Sequence, residues 1–141
     1  MTATQIPIVT EMRDGELLPL SLKANAIVLE GTFAVVDATG LAISSTVAVA
    51  ATQKVLGVWD KSADNTGGAD ANVIACARRK KQFLFRNSTT DAVTQADIGS
   101  QVYVEDNQTI AKTAGAGSTR PLAGKFMGFD TQYRDCVWVE I

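Results

Sequence analysis

The sequence predicts an all-β protein, a small β-sandwich or barrel of about ten short strands with an extended N-terminal arm and at most one short helical turn. Three observations predict this class. Apolar and polar residues alternate with period two over many short runs, the runs are rich in Val, Ile, Thr and aromatic residues, and Gly, Asn, Asp and Ser lie between them. Runs of this kind at short intervals are typical of sandwiches and barrels.

The first 22 residues do not follow this pattern. Pro7 and Pro19 forbid a continuous helix, and Asp14-Gly15 is typical of a turn. We interpret this segment as an extended arm or an edge segment. A chain of 141 residues suits one compact domain. We therefore assign residues 1–25 to an N-terminal arm and residues 26–141 to a single β domain.

From Ala26 onward, strand patterns follow one another. In order, the runs are AIVLEGTFAVVD (two apolar runs split by Glu30-Gly31), ATGLAI, TVAVAA, KVLGVWD, NVIACARR, KQFLFRN, QVYVED, QTIAKT, PLAGKFMGFD and DCVWVEI. The Ala content of TVAVAA also allows a helix, but Val47 and Val49 favour a strand.

The best helix signal is TQADIG. Thr94 suits an N-cap, and Asp97 at the third helical position can accept the reciprocal hydrogen bond of a capping box. Gly99 can take the left-handed conformation that ends a helix. These positions leave room for one helical turn at most.

Composition excludes several functions. The chain has no His, which removes the common nucleophile arrangements and the commonest general base at neutral pH. With 13 basic and 15 acidic residues, the net charge of −2 favours neither nucleic acid nor an anionic membrane as a partner. The apolar runs are far shorter than the roughly 18 residues that span a bilayer. We expect no enzyme activity, no cofactor, no nucleic-acid partner and no membrane partner.

Metal binding is not expected either. Two Cys residues without His cannot build an ordinary structural zinc site. Residues 59–72 contain several Asp and Asn side chains, but they lack the closing Glu and the spacing of a calcium loop. Cys76 and Cys136 could form a disulfide, although two thiols are the expected state in a reducing compartment.

A basic run, Arg78–Lys81, precedes Phe83 and Phe85. On a regular strand, Arg78 and Lys80 would share one face and their neighbours the other, so one flat basic patch requires a turn or bulge. Three interpretations stay open: a solvated sheet edge, a contact with an acidic protein partner, or binding of single-stranded nucleic acid.

Both faces of several predicted strands are partly apolar. In DCVWVEI, for example, Val137 and Val139 share one face and Trp138 lies on the other. Such strands suit either a two-sided sandwich or a sheet with one face against a partner. The candidate partner-binding residues are Ile6, Pro7, Ile8, Val9, Trp59, Arg78, Arg79, Lys80, Lys81 and Trp138.

Four stretches carry a resemblance to a known class. They are TFAVVDATGLAI, VLGVWDKSADNTGGADANVIACARR, ADIGSQVYVEDNQTIAKT and the terminal VWVEI. Over residues 26–141, the sequence resembles the capsid decoration proteins (cement or head auxiliary proteins) of tailed bacteriophages. The resemblance implies a non-catalytic virion structural protein that binds the outer surface of the major capsid lattice and stabilises the head, often as a trimer at three-fold positions.

The resemblance also implies partners and a location. The expected partners are the major capsid protein and further copies of the chain in a homotrimer. The expected location is the capsid exterior, after synthesis in the host bacterial cytoplasm. The N-terminus MTATQIPIVT agrees, since it lacks the basic and apolar regions of a secretory signal. The alternatives are another phage virion module, such as a head-completion or tail protein, a carboxylate-dependent enzyme, and a small-ligand-binding β-barrel.

Overall fold

Residues 5–141, the part of the chain that the computed structural model describes, contain eleven β-strands and two 3₁₀ turns. The predicted all-β class is confirmed. The strands are β1 Leu17–Ser21, β2 Ile27–Val28, β3 Phe33–Val36, β4 Lys54–Trp59, β5 Ala63–Asp64, β6 Ile74–Arg78, β7 Gln82–Asn87, β8 Gln101–Asp106, β9 Thr109–Ala111, β10 Leu122–Phe129 and β11 Cys136–Glu140. The 3₁₀ turn Gln95–Asp97 lies where the sequence predicts it, and a second spans Ala116–Ser118.

The strands form two larger assemblies and one small one. A four-stranded antiparallel sheet has the order β1-β6-β4-β3, and a closed barrel has the order β10-β11-β7-β9-β8. Strands β2 and β5 form a separate antiparallel pair. Within the barrel, β7 and β9 pair in parallel and the other neighbours are antiparallel. The chain completes the sheet before it enters the barrel, and residues 79–81 connect the two.

Two apolar cores lie on opposite sides of the β3–β4 hairpin. Phe33 and Val58 belong to the core that fills the barrel, whereas Ala34 and Trp59 belong to a second core. Phe33 stacks on Phe85 of β7, with ring centroids 4.0 Å apart. Since successive side chains of a strand point to opposite faces, one hairpin serves both cores.

The predicted arm, residues 1–25, is too long, because β1 lies within it and belongs to the sheet. This strand pairs with β6 along its whole length, and Leu20 and Leu22 are buried in the second core. Leu22 N–H donates to the Val73 carbonyl on the β6 side of β1. The Ser21 carbonyl lies on the opposite side and accepts from Ala42 N–H. By the same alternation, the missing N–H of Pro19 faces outward, which explains why proline is tolerated in this edge strand. The extended segment therefore ends near residue 16.

Three further strand predictions need correction. The TVAVAA run is a loop, because the Gln53 side chain hydrogen-bonds to the backbone of Ala48 and Ala50 and holds the segment in a turn. The ATGLAI run forms only isolated bridges at Ala42. Strand β5, which lies in the polar residues 59–72 where no strand is predicted, pairs with β2.

An ion network ties the β9–β10 connection to the barrel. The Arg120 guanidinium lies 2.7 Å from Asp91 Oδ2 and 3.2 Å from Glu105 Oε1. The Thr113 hydroxyl donates to Asp91 Oδ2 at 2.6 Å. The hydrogen bond from Thr113, aided by Arg120, holds the pKa of Asp91 below its usual value of 3.8, against the effect of partial burial. The network thus joins three segments that are distant in sequence.

We predict that Leu22→Ala destabilises the protein by about 2–5 kcal/mol, because it leaves a cavity in the second core. Leu17→Ala is the matched control. Leu17 is 43% exposed whereas Leu22 is fully buried, so the control should cost less than about 1 kcal/mol. Urea unfolding measures both values. Equal small effects would show that β1 is dispensable and that the arm does extend to residue 25.

A second prediction concerns acid stability. A depressed folded-state pKa contributes stability that is present above the unfolded value and is lost as pH falls through the folded value. The melting-temperature difference between wild type and Asp91→Asn should therefore stay constant at neutral pH and shrink below about pH 3.8. Glu11→Gln controls for the loss of one exposed carboxylate. A difference that persists unchanged in acid would contradict this role of Asp91.

Candidate partner-binding surfaces

The arm presents exposed apolar side chains. Residues 5–14 are exposed, and residues 7–14 have no regular secondary structure. Ile6 is 71% exposed, Ile8 69%, Val9 91% and Met12 94%. Pro7 is exposed as well. The structure therefore places the four predicted arm residues on the surface, where apolar side chains grouped together indicate an interaction site.

The base of the arm is fixed by the basic run. Lys81 Nζ lies 3.2 Å from Glu16 Oε2, and Arg79 N–H donates to the Glu16 carbonyl at 2.9 Å. The Lys80 side chain lies over Gly15, with Nζ 2.7 Å from the position that a Cβ would occupy. The structure thus places the basic run at the base of the arm, against Gly15 and Glu16.

The basic run is a turn rather than a flat patch. Strand β6 ends at Arg78, Lys80 adopts a left-handed backbone conformation with φ of 59°, and β7 begins at Gln82. Arg78 Nη2 contacts Asp60 Oδ1 at 2.5 Å, so this cation is engaged within the chain. Lys80 N–H also donates to the Ile141 carbonyl at 2.6 Å. Much of the run therefore connects sheet, barrel and arm.

Trp59 cannot contact a partner. It is 1% exposed and lies in the second core with Val28 and Ala77. Its prediction as a partner-binding residue is wrong, because the face of β4 that carries Trp59 is covered by the β2–β5 pair and the segments around it. Its size stabilises the core instead.

Trp138 lies on the outer face of the barrel and is half-buried. It pairs across strands with Leu84 on one side and Gly128 on the other. Ile98, which is half-exposed, comes within 3.8 Å of the Cβ position of Gly128. The four residues lie in an apolar row across the outer face of the barrel.

Sequence analysis missed one apolar surface. Leu17 and Pro19 of β1 lie opposite Arg78 and Cys76 of β6, and Ser21 lies opposite Ile74. Residues directly opposite one another share a face. Ile74 is 63% exposed and Leu17 43%, whereas Cys76 is half-buried, so residues 5–141 leave most of this face exposed. The signal was present in IACAR, where Ile74 and Cys76 alternate with two alanines, but either face could have been the buried one.

Other features of residues 5–141 are weaker candidates for a functional site. Cys76 and Cys136 are both free thiols. No group of three or more Cys, Asp or Glu side chains there could hold a metal ion, and no helix there is long and apolar enough to cross a membrane. A crevice with about 20 Å³ of free space, roughly that of one water molecule, lies between β3 and the loop that follows it, and Phe33, Val35 and Val104 are among its lining residues. It is far smaller than a small-ligand pocket.

Comparison of the chain with protein-family models, with curated proteins and with solved structures finds no match. The function must therefore be argued from the residues and surfaces described above.

We predict that trypsin cuts first after Arg13. This residue lies in an exposed segment outside the sheets, and proteases cut such segments fastest. Mass spectrometry should find the body that begins at Asp14, still folded by circular dichroism. In Arg13→Gln, this early product should disappear. A first cut inside the body, for example in the loop at Lys61, would contradict the exposed placement of the arm.

Proposed function

We propose that this chain is a non-catalytic structural protein of a bacteriophage virion. It binds the outer surface of the major capsid lattice and stabilises the head as an oligomer, with a homotrimer as the expected form. It is made in the host cytoplasm and ends on the capsid exterior. The proposal joins the sequence resemblance over residues 26–141 to the surfaces of the folded chain.

The observation that carries the proposal is the exposed apolar arm on a rigid β body. Met12 and Val9 are more than nine-tenths exposed, while the body beneath holds two cores of buried side chains. Leaving such side chains in water gives the isolated protein nothing, so their use lies in an assembly. A protein that reinforces a shell needs a stiff body and a segment that reaches a neighbour.

The state of the carboxylates also supports a structural role. Hydrogen bonds from Thr66 lower the pKa of Asp64, and backbone N–H groups of Tyr133 and Gln132 lower the pKa of Asp130. Carboxylates of this kind remain ionised at neutral pH and are poor general acids or bases. With no His in the chain, these side chains serve turns and loops rather than chemistry.

Many copies would give firm attachment. A single short arm orders only on binding, which costs conformational entropy and limits its affinity. In a closed oligomer, one copy bound to the lattice raises the effective concentration of the others, so overall binding gains without new contacts. A symmetric oligomer on a symmetric lattice therefore suits a weak but repeated contact.

We predict that the purified protein saturates phage shells that lack it at about one copy per major capsid subunit, as measured by co-sedimentation and gel densitometry. Deletion of residues 1–13 should weaken this binding and lower the temperature at which the shells break. This deletion stops short of β1, because a deletion through Leu22 would remove buried core residues and unfold the body.

The control is a deletion of residues 1–4, which leaves the apolar arm residues in place. Equal binding by wild type and the 1–13 deletion would remove the arm from the proposal. A few copies per shell would indicate a connector or tail protein, and no binding would overturn the proposal. A metabolite that raised the melting temperature would then favour the alternative of a small-ligand-binding protein.

A further inference from the structure

We propose that the arm of one copy lies on the exposed face of the β1–β6 sheet of a second copy. This inference rests on the proposed oligomer and names its contact. The seat is defined as the side chains of Leu17, Pro19, Ile74 and Cys76, which share one face of the sheet. The arm contributes the apolar side chains of residues 6–12.

Both surfaces are largely exposed in the isolated chain. Ile74 is 63% exposed in a strand whose opposite face, at Ala75 and Ala77, is buried. The apolar arm side chains are at least as exposed. Each copy carries one arm and one seat, so an exchange of arms covers both surfaces on every chain. A head-to-tail contact of this kind closes into a ring when the rotation allows.

The contacts of Gly15 and Glu16 with the basic run, here called the clamp, disfavour a return of the arm to its own sheet. The β1–β6 ladder continues through Glu16, whose carbonyl accepts from Arg79 N–H and whose carboxylate contacts Lys81. Gly15 lies under the Lys80 side chain. A reversal of the chain at residues 14–16 would break these contacts. The arm therefore leaves its own body in the direction of the strand.

Length and charge suit a second copy. Ten extended residues, 5–14, reach about 33 Å, which is more than the width of a four-stranded sheet. Residues 5–14 carry two acids, Glu11 and Asp14, and one base, Arg13, a net charge of −1. The Arg78–Asp60 pair that borders the seat is neutral in sum. The arm of a second copy therefore meets no net repulsion at the seat.

Cys76 provides a reporter, because its thiol lies in the seat and is free. In a Cys136→Ser background, three variants each place one thiol in the arm: Ile6→Cys, Ile8→Cys and Met12→Cys. After mild oxidation without shells, at least one should give covalent multiples of the 14.9 kDa chain on a non-reducing gel. Adding Cys76→Ser should abolish the larger multiples, since each chain then holds a single thiol.

The other outcomes overturn the inference. A product of single-chain mass that has lost both thiols would show that the arm folds back on its own sheet. Free thiols in all three variants would show that the arm and seat do not meet. Because no shells are present, failure here with normal shell binding by wild type would leave the proposed function standing. Crosslinking between copies without shell binding would support the contact of arm and seat and overturn the proposed function.

An unmodified interface gives a second measurement. Ile74→Lys should weaken self-association about tenfold in sedimentation equilibrium, from the apolar burial of one isoleucine lost on association. Val47→Lys is the matched control, since Val47 is 49% exposed but lies in the loop after β3. Equal association by both variants would contradict the assignment of the seat.

Discussion

The fold depends on the opposite faces of the β3–β4 hairpin. Phe33 and Val58 point into the barrel core, and Ala34 and Trp59 point into the second core. The stacked rings of Phe33 and Phe85 join the sheet to the barrel at 4.0 Å. Neither half of the chain can complete its core without this hairpin, because the sheet needs Trp59 and the barrel mouth needs Phe33. The two cores are therefore coupled, and we treat the chain as one domain on this ground.

A bulge at Gly57 allows one hairpin to serve two cores. The pairing register shifts there, so that Ala34 lies opposite Gly57 and Val35 lies opposite Val55. Val55 and Val58 can then both face the barrel, while Leu56 packs with Trp59 on the other side. A Cβ on residue 57 would lie 2.3 Å from the Arg78 carbonyl oxygen, and φ is 154°. Only glycine fits, because the bulged strand approaches β6 closely.

Period-two alternation was sufficient to predict the barrel strands from Gln82 onward, where one face is apolar and turns separate the runs. It failed where another constraint prevailed. The bulge breaks the alternation of KVLGVW, so the sequence did not place Trp59 in a core. Pro19 concealed β1, since an edge strand with an outward-facing proline resembles a coil in sequence. Val47 and Val49 favour a strand, but their segment is a loop because the Gln53 side chain holds it in a turn. Of the candidate site, the arm and the basic run were predicted, but the face at Ile74 required the register of β1 against β6.

The register of β1 against β6 also explains how the body fixes the start of the arm. The hydrogen-bond ladder of β1 with β6 ends at Glu16 and Arg79, where the basic turn holds the chain. A clamp at this point fixes the exit direction of the arm while leaving its apolar residues exposed. In the proposed oligomer, restricting the arm reduces the entropy lost when it docks, so a short segment can contribute more affinity than its length suggests. An exposed ion pair alone contributes little, about 0–1 kcal/mol. The backbone hydrogen bond of Glu16 and the packing of Lys80 on Gly15 must therefore supply much of the restraint, and the basic run acts through geometry more than through charge.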